Sequence, residues 1–519
     1  MIQRRHFVMT GTAGLGTAWL SGCAAGPSIR DVQTAQPIAT VSDGELKGRN
    51  DGKVLSFLGV PYAANPFTAG RRFRAPEPME PWKGVRDAQN PRPMPPQPSR
   101  NPGGGVAGDI DDLTLNIWAP VGALGAPVMV WLPGGAFYRV DATEGWYDGS
   151  SFAQQGVIVV TVNYRVGIDG FMAVEGAPHN RGFLDQLAAL RWVKRNIAAF
   201  GGDPDKVTLA GQSTGAQSVL ALMGMPSAQG LFQRAIAQSP PVNHHTLEQA
   251  RAIAAATASY LKVPQTAAGL AAVPMADTVR ATESMISDLR TPGKWGALEG
   301  QPPFLPVVDG QVVTDSPVAA LRRHSSRQMP LLMGCTDEEA RLYLLPGGII
   351  DRIPEPAVAG LLRRLGLPPQ ALATYAKVRP QASAGDMLAA LESDMTFRIP
   401  TLRYAEARAQ MGAPLWVYHF AWSSPAFGGR LGAAHVLDVP YVINTLATAQ
   451  AKPFLGGSGS QPLAQEMHAC WAAFVKGQDP TWPRYDLVQR PTMRFDVESQ
   501  VVNDPLAERR LLWADKLGA

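Results

Sequence analysis

One short tract places a serine between residues with almost no side chain. Residues 211–215 read Gly-Gln-Ser-Thr-Gly, the only Gly-x-Ser-x-Gly tract in the chain, and they lie between a β-type run at 206–210 and a helical run at 216–223. A serine on a sharp strand-to-helix turn projects its hydroxyl, and its neighbours must be small. The helix N-terminus behind it supplies N–H donors to a developing oxyanion. The tract therefore predicts that Ser213 is a nucleophile of acyl transfer.

A serine nucleophile needs an oriented base, which in this architecture follows the serine and the acid in chain order. His435 fits best, because it follows a predicted strand in a loop of small residues and an imidazole can accept a proton near neutral pH. The other histidines precede the expected acid or lie on regular elements where packing is expected: His6, His179, His244, His245, His324, His419 and His468.

Three consecutive carboxylates are candidates for the acid. Asp337, Glu338 and Glu339 directly follow a predicted strand that includes residues 331–333. Any of them could orient His435, and the alternative is a solvated acidic turn. The residues by themselves leave this choice open.

The elements that must position these residues alternate along the chain. Continuous apolar runs at 128–132 and 157–162 predict central strands covered on both faces, and further strands are expected at 54–58, 206–210, 235–237, 331–333 and 415–419. Apolar residues spaced by three and four predict a helix over 183–200. The alternation predicts an α/β fold with a mostly parallel sheet.

The remaining segments are expected to be insertions and loops. Segments 246–300 and 340–410 are rich in Ala, Leu and Arg and are predicted to be helical insertions. Segment 61–105 is dense in Pro and Gly and is predicted to be irregular, and 451–462 is predicted to be a mobile surface loop.

Composition excludes several classes of protein. The chain has 519 residues, a formal net charge of +4, 17% charged and 45% hydrophobic residues, which argues against disorder. No basic run offers a track for phosphates, so we expect no nucleic-acid partner. No His-Glu-x-x-His tract or Cys/His cluster occurs, so we expect neither a metal nor a cofactor.

The N-terminus is typical of an export leader. Arg4 and Arg5 precede an apolar stretch at 9–20, which is typical of a twin-arginine signal, and Leu-Ser-Gly-Cys at 20–23 resembles a lipoprotein processing box. We expect residues 1–22 to be removed, Cys23 to be lipidated and residues 23–37 to form a flexible tether. The mature protein would then be anchored to a membrane on the periplasmic side. Alternatively, Cys23 is incidental and cleavage falls after the Ala-rich stretch.

Cysteines are sparse. Besides Cys23 the chain contains only Cys335 and Cys470. So few cysteines argue against a fold held together by disulfides. Folding in a reducing cytoplasm before export would suit this usage.

Many ordered motifs together resemble the type B carboxylesterase family, the α/β hydrolases that include bacterial para-nitrobenzyl esterases and the cholinesterases. The resemblance runs from about residue 38 to about residue 506. It implies an α/β-hydrolase fold over 38–515, with helices on both faces of the sheet and helical insertions that form a substrate gorge. Its landmarks include Leu58–Tyr62, Leu115–Trp118, Asn163–Arg165, Phe200–Pro204, Ala237–Ser239, Pro306–Gly310, Phe397–Arg398, Gly432–His435 and Thr492–Asp496.

The resemblance also implies roles for individual residues. Ser213 becomes the nucleophile and His435 the base, and the register of residues 334–340 selects Glu339 as the acid. Its neighbours Asp337 and Glu338 are then expected to stay in water, because unpaired buried carboxylates are costly.

The tract at 133–137, Pro-Gly-Gly-Ala-Phe, takes the place of the family's oxyanion-hole tract. By register, the N–H groups of Gly135 and Ala136, with that of Thr214, would hold the oxyanion. Proline replaces the usual histidine at 133 and Gln212 replaces the usual glutamate, which removes one negative charge near His435.

The family's loop disulfide would join positions 95 and 112, where this chain has proline and aspartate. The bridge is therefore expected to be missing rather than rearranged.

The activity that the resemblance implies is hydrolysis of small-molecule carboxylic esters through an acyl-enzyme, by a monomer. The same machinery could act instead on amides, carbamates or polyesters, which share the acyl-enzyme route. A catalytically inactive binding protein is a third possibility, which Ser213 argues against.

Overall fold

The computed structural model describes residues 28–30, 34–68, 70–101, 104–323, 325–377, 379–457 and 459–516. The predictions at Arg4, Arg5 and Cys23, as well as His6 and His324, lie outside the described residues. Within the described ranges, no helix is both long enough and apolar enough to span a bilayer.

A sheet of eleven strands organises the described part of the chain, in the order β19-β18-β17-β16-β13-β12-β10-β11-β9-β5-β4. The strands from β18 to β11 in this order run parallel, and the pairs at both edges are antiparallel. The other strands of the described residues form three smaller sheets, in the orders β1-β2-β3-β6, β14-β15 and β7-β8. All the strands, in chain order, are β1 Ser28–Arg30, β2 Ile38–Val41, β3 Gly44–Lys47, β4 Arg49–Asn50, β5 Val54–Ala63, β6 Val85–Asp87, β7 Gln97–Pro98, β8 Val106–Ala107, β9 Leu113–Pro120, β10 Ala126–Leu132, β11 Ile158–Val162, β12 Gly202–Gln212, β13 Arg234–Gln238, β14 His245–Thr246, β15 Val307–Val308, β16 Leu331–Thr336, β17 Leu415–Phe420, β18 Pro491–Phe495 and β19 Gln500–Asn503.

Helices cover both faces of this sheet. Along β10, Val128 and Val130 pack into one core with helices α3 and α4, whereas Met129 and Trp131 pack into a second core with α14 and α16, because successive strand side chains point to opposite faces. The helices are α1 Ser150–Gln154, α2 Gly167–Phe171, α3 Arg181–Asn196, α4 Thr214–Met223, α5 Leu247–Leu261, α6 Ala267–Ala271, α7 Met275–Asp288, α8 Pro317–Arg323, α9 Arg341–Leu344, α10 Glu355–Leu365, α11 Ala371–Ala376, α12 Ala384–Ser393, α13 Ile399–Gln410, α14 Asp438–Ile443, α15 Lys452–Leu455, α16 Gln461–Val475 and α17 Ala507–Leu512.

The predicted fold class is confirmed: a mostly parallel sheet lies between two helical layers. The predicted helix over 183–200 is observed as α3 followed by a 3-10 turn at Ile197–Phe200, and it ends at Gly201, whose φ of 81° is left-handed. Both predicted insertions are largely helical, the first containing α5 to α7 and the second α9 to α13.

Two predictions about loops need correction. Segment 451–462 is not simply a loop, because α15 lies within it and Leu455 is fully buried in the second core. Gly456, with a φ of 62°, caps this helix. The Pro- and Gly-rich segment 61–105 is mostly irregular, but β5 extends into it as far as Ala63 and β6 and β7 lie inside it.

No disulfide joins positions 95 and 112, and polar contacts hold this region instead. Asp112 accepts a hydrogen bond from the Asn65 N–H at 3.0 Å and forms an ion pair with Arg86 at 3.4 Å. The thiols of Cys335, on β16, and Cys470, on α16, are both free. Burial raises the pKa of Cys335 well above its ordinary value and that of Cys470 to about 12.

Candidate active site

The candidate residues meet at one edge of the sheet. Strands β10, β12 and β16 run parallel, so their carboxyl ends lie side by side, which is where open α/β sheets form their sites. The tract 133–137 follows β10, Ser213 follows β12, and residues 337–339 follow β16. His435 comes from the loop between β17 and α14.

Ser213 occupies the sharp turn that the sequence predicts. Its φ of 58° and ψ of −128° are unusual for a residue with a side chain, and α4 begins at the next residue. A Cβ on Gly215 would lie 1.9 Å from the carbonyl oxygen of Leu132, and a Cβ on Gly211 would lie 2.6 Å from Gly215 itself. The turn can therefore form only because both flanking residues are glycines.

Glu339 is fully buried and makes contacts suited to a carboxylate. Its Oε1 accepts hydrogen bonds from Ser239 Oγ at 2.6 Å and from the Thr336 N–H at 2.8 Å, and its Oε2 is hydrogen-bonded to His435 Nδ1. Burial alone would raise the pKa of Glu339, but the charge of His435 and these hydrogen bonds outweigh it and lower the pKa.

The prediction that Asp337 and Glu338 stay in water is wrong, because both side chains are partly buried beside arginines. Glu338 is 19% exposed and forms ion pairs with Arg341, at 3.1 Å, and with Arg379. Asp337 is 33% exposed and lies 3.9 Å from Arg398, and burial raises its pKa. The sequence pattern does not reveal these arginines. Because their charges compensate those of the two carboxylates, both acids can be partly buried without a large loss of stability.

His435 is enclosed on several sides. The ring of Phe397 lies 4.3 Å from the imidazole, tilted by 31°, and that of Tyr343 lies 5.7 Å away. Its Nε2 lies 3.0 Å from Nε2 of Gln212, the residue directly before Ser213. Within the described residues no hydrogen bond joins Ser213 Oγ to His435, although catalytic contacts are often looser before substrate binds.

The predicted oxyanion donors are available. In the described part of the chain, the N–H groups of Gly135, Ala136 and Thr214 donate to no protein acceptor. Gly135 has a φ of 140° and Ala136 a φ of 56°. The tract is held in place by Pro133, whose carbonyl accepts the Tyr164 hydroxyl at 2.7 Å, so replacing the usual histidine leaves the loop anchored.

The tract also touches the elbow. A Cβ on Gly134 would lie 2.7 Å from Ser213 Cβ, so the glycine lets the two loops come together. The buried ring of Phe137, 4.6 Å from that of Phe171, fixes the other end of the tract.

Residues at the end of β13 support the site, although their residue types alone do not indicate this role. The carbonyl of Gln238 accepts the Ser213 N–H at 2.8 Å, and Ser239, with a φ of 51°, holds Glu339. Since β13 lies between β12 and β16, polar residues at its carboxyl end could have been predicted to lie at the site.

A second buried carboxylate lies close to the first. Asp438 Oδ2 accepts hydrogen bonds from Gln238 Nε2 at 2.8 Å and from the Tyr418 hydroxyl at 2.7 Å. Its Oδ1 has no partner among the described residues. Burial, together with the charge of Glu339, raises the pKa of Asp438 to about 6.

Of the three other buried histidines among the described residues, His245, His419 and His468, the last two follow the three candidate acids in the chain. His419 lies on β17, where burial lowers its pKa to about 3. His468 lies on α16 with its Nδ1 2.7 Å from the carbonyl oxygen of Val442. Both have the structural surroundings expected of them.

The chain is similar to known esterases along most of its length. The model of the carboxylesterase family matches residues 35–355 and 363–512. Para-nitrobenzyl esterase from Bacillus subtilis (strain 168) is 35% identical over 502 residues, covering 91% of this chain and 97% of that protein. Fumonisin B1 esterase from Sphingopyxis macrogoltabida is 33% identical over 509 residues, covering 93% of this chain and 91% of that protein. The solved structure of carboxylesterase EST55 from Geobacillus stearothermophilus matches with a TM-score of 0.80 at 33% identity, covering 92% of this chain and 99% of the other.

Proposed function

The chain belongs to the carboxylesterase family and is a carboxylic ester hydrolase, and from that premise we propose that Ser213, His435 and Glu339 hydrolyse small-molecule esters through an acyl-enzyme. The observation that carries the proposal is the pairing of buried Glu339 with His435 Nδ1, beside a serine held at a φ of 58°.

Acylation begins when Ser213 Oγ attacks the ester carbonyl carbon and His435 Nε2 takes its proton. The Nδ1–H of His435 donates to Glu339, whose charge stabilises the imidazolium that forms. The carbonyl oxygen becomes an oxyanion that accepts hydrogen bonds from the N–H groups of Gly135, Ala136 and Thr214.

The intermediate then collapses. The bond to the alcohol oxygen breaks, and His435 gives the alcohol its proton. In the second half, His435 takes a proton from water and the resulting hydroxide attacks the acyl carbon. The bond from the acyl carbon to Ser213 Oγ then breaks, His435 returns its proton to Oγ, and the carboxylic acid is released.

Removing the nucleophile tests this role. Ser213→Ala is expected to fold normally and to lose about six orders of magnitude in turnover, as triad knockouts do in other serine hydrolases. The measurement is hydrolysis of p-nitrophenyl esters of increasing chain length, with unfolding by urea as the check on folding. Ser227→Ala, at an exposed serine just beyond α4, is the matched control and keeps full turnover. A folded Ser213→Ala with near wild-type turnover would refute the assignment.

Assigning Ser213 as the nucleophile does not identify the natural substrate. Amides, carbamates and polyesters are opened by the same acyl-enzyme route, so the triad does not select among them. Comparing matched ester and amide substrates in one series measures which bond the enzyme prefers.

We also propose that the protein is exported folded and anchored by a lipid on Cys23. This proposal rests on the sequence of residues 1–23 and on the low cysteine content, which suits folding before export.

A further inference from the structure

The nitrogen that must accept the serine proton already has a neighbour. Gln212 Nε2 lies 3.0 Å from His435 Nε2, and Gln212 is only 2% exposed, so water has little access to this contact. Ser213, one residue further on, makes no hydrogen bond to the ring in the described part of the chain.

Protonation states follow from the partners on either side of the imidazole. Glu339 is ionised and can only accept, so His435 Nδ1 carries a hydrogen. In the neutral ring, Nε2 then presents a lone pair and accepts the amide N–H of Gln212. The amide donates to the neutral ring and cannot donate to Nε2 once that nitrogen is protonated.

We propose that Gln212 is a positioning residue that holds the neutral ring of His435 between substrates by donating to Nε2. The inference rests on the proposed function. When an ester binds, the hydroxyl of Ser213 replaces the amide N–H at the same lone pair, and one hydrogen bond is exchanged for another. Because the amide stabilises only the neutral base, Gln212 extends activity toward lower pH.

Several other groups face His435 and could influence the same pH range. Glu339 is bonded to it, Asp438 interacts with it electrostatically from the start of α14, and the phenol of Tyr343 faces it from α9. Phe397 brings no charge. Asp438 is the one that requires a control, because burial raises its pKa to about 6.

The test is the acid limb of the kcat/KM profile against pH, measured with a p-nitrophenyl ester. Gln212→Met keeps the length of the side chain but cannot donate, and the limb should move upward by about half to one pH unit, the size expected for one neutral hydrogen bond. Gln212→Glu introduces a carboxylate that favours the imidazolium, so its limb should move upward by about one unit or more.

Controls separate this role from a purely structural one. Gln217→Met changes another buried glutamine, which bonds the Asn243 carbonyl at 2.6 Å, and should leave the limb in place. Asp438→Asn shows whether the limb belongs to Asp438, in which case the limb disappears in that variant. Gln212→Glu is nearly isosteric with the native side chain and gives a second reading if Gln212→Met fails to fold.

Three results would overturn the inference that Gln212 positions His435. An unmoved limb in both Gln212 variants, or a limb that belongs to Asp438, overturns the inference. A downward shift in Gln212→Met also overturns it, because the amide oxygen would then be facing a protonated ring. If Ser213→Ala is inactive while the Gln212 variants leave the limb unmoved, the inference fails and the proposed function stands.

Discussion

Glu339 keeps its charge in an interior that disfavours charge. It is fully buried, and desolvation alone would favour its neutral form, yet the contacts from His435, Ser239 and Thr336 lower its pKa. All of these partners donate to a carboxylate. The site is therefore built around the ionised acid, and its neutral form would leave donors unsatisfied.

The choice among the three acids can be tested with their amides. Glu339→Gln removes the charge that stabilises the imidazolium, and we expect turnover to fall by about four orders of magnitude, as in the corresponding change in another serine hydrolase. Asp337→Asn should retain most of the turnover, since its carboxylate faces Arg398 rather than His435. The measurement is kcat/KM of the purified variants, with urea unfolding as the check on folding.

Glu338→Gln is the closest control. It breaks ion pairs with Arg341 and Arg379, so some stability should be lost while turnover is largely kept. An active Glu339→Gln beside an inactive Glu338→Gln or Asp337→Asn would assign the acid elsewhere and leave Ser213 and His435 in their roles.

Residue types alone could predict part of this site. The prediction of Ser213 rests on its glycine neighbours and that of His435 on its place in the chain, whereas the prediction of Glu339 also needs the register of a related family. The contact of Gln212 with His435 could not be predicted, because it joins side chains 223 positions apart and depends on their rotamers.

Among the elements, the turn from β12 into α4 is the most tightly constrained. Gly215→Ala would place a methyl group 1.9 Å from the Leu132 oxygen, which is backbone and cannot swing away. We expect the free energy of unfolding of this variant to fall by about 1–3 kcal/mol. Much of its turnover should also be lost, because overpacking shifts the backbone that carries Ser213. Urea unfolding and kcat/KM measure both effects.

Gly360→Ala is the matched control within α10. The nearest atom to its new methyl group would be Arg363 Nη2, at 3.9 Å, so nothing obstructs it. Because alanine is a better helix former, stability should rise by up to about 1 kcal/mol with turnover unchanged. Equal losses in the two variants would mean that close packing at the turn is not the cause.

Element prediction succeeded where burial leaves a simple pattern. The apolar runs of β10 and β11 predicted central strands correctly, because both faces of these strands are covered. Strand β9 was not predicted, since its buried Asn116 breaks the apolar pattern and is satisfied by Thr161 at 3.1 Å and the Gly59 N–H at 2.9 Å. Helix α15 was missed because local glycine content masks the long-range burial of Leu455.

For the molecule as a whole, the export proposal makes a prediction about location. Replacing Arg4 and Arg5 together by lysine should leave the precursor inside the cell, because the twin-arginine signal is read by a receptor. Cys23→Ala should be exported but released from the membrane, since its anchor is gone. Cell fractionation with an activity assay distinguishes the two. An unacylated N-terminus on the native exported protein, found by mass spectrometry, would refute the lipid anchor.

The two free thiols of the described residues can report on opening of the molecule. Thiol reagents attack the thiolate, and burial raises the pKa of both thiols, so both stay protonated. Cys335 is also inaccessible because it is buried, whereas Cys470 is partly exposed. In a Cys23→Ala background, the rate of alkylation of Cys335 therefore measures how often its surroundings open, and the partly exposed Cys470 is the reference site. Cys335 lies on β16, four residues before Glu339, and Cys470 lies on α16, so mass spectrometry of the two labelled peptides would measure opening of the strand behind the acid against labelling of the helical layer.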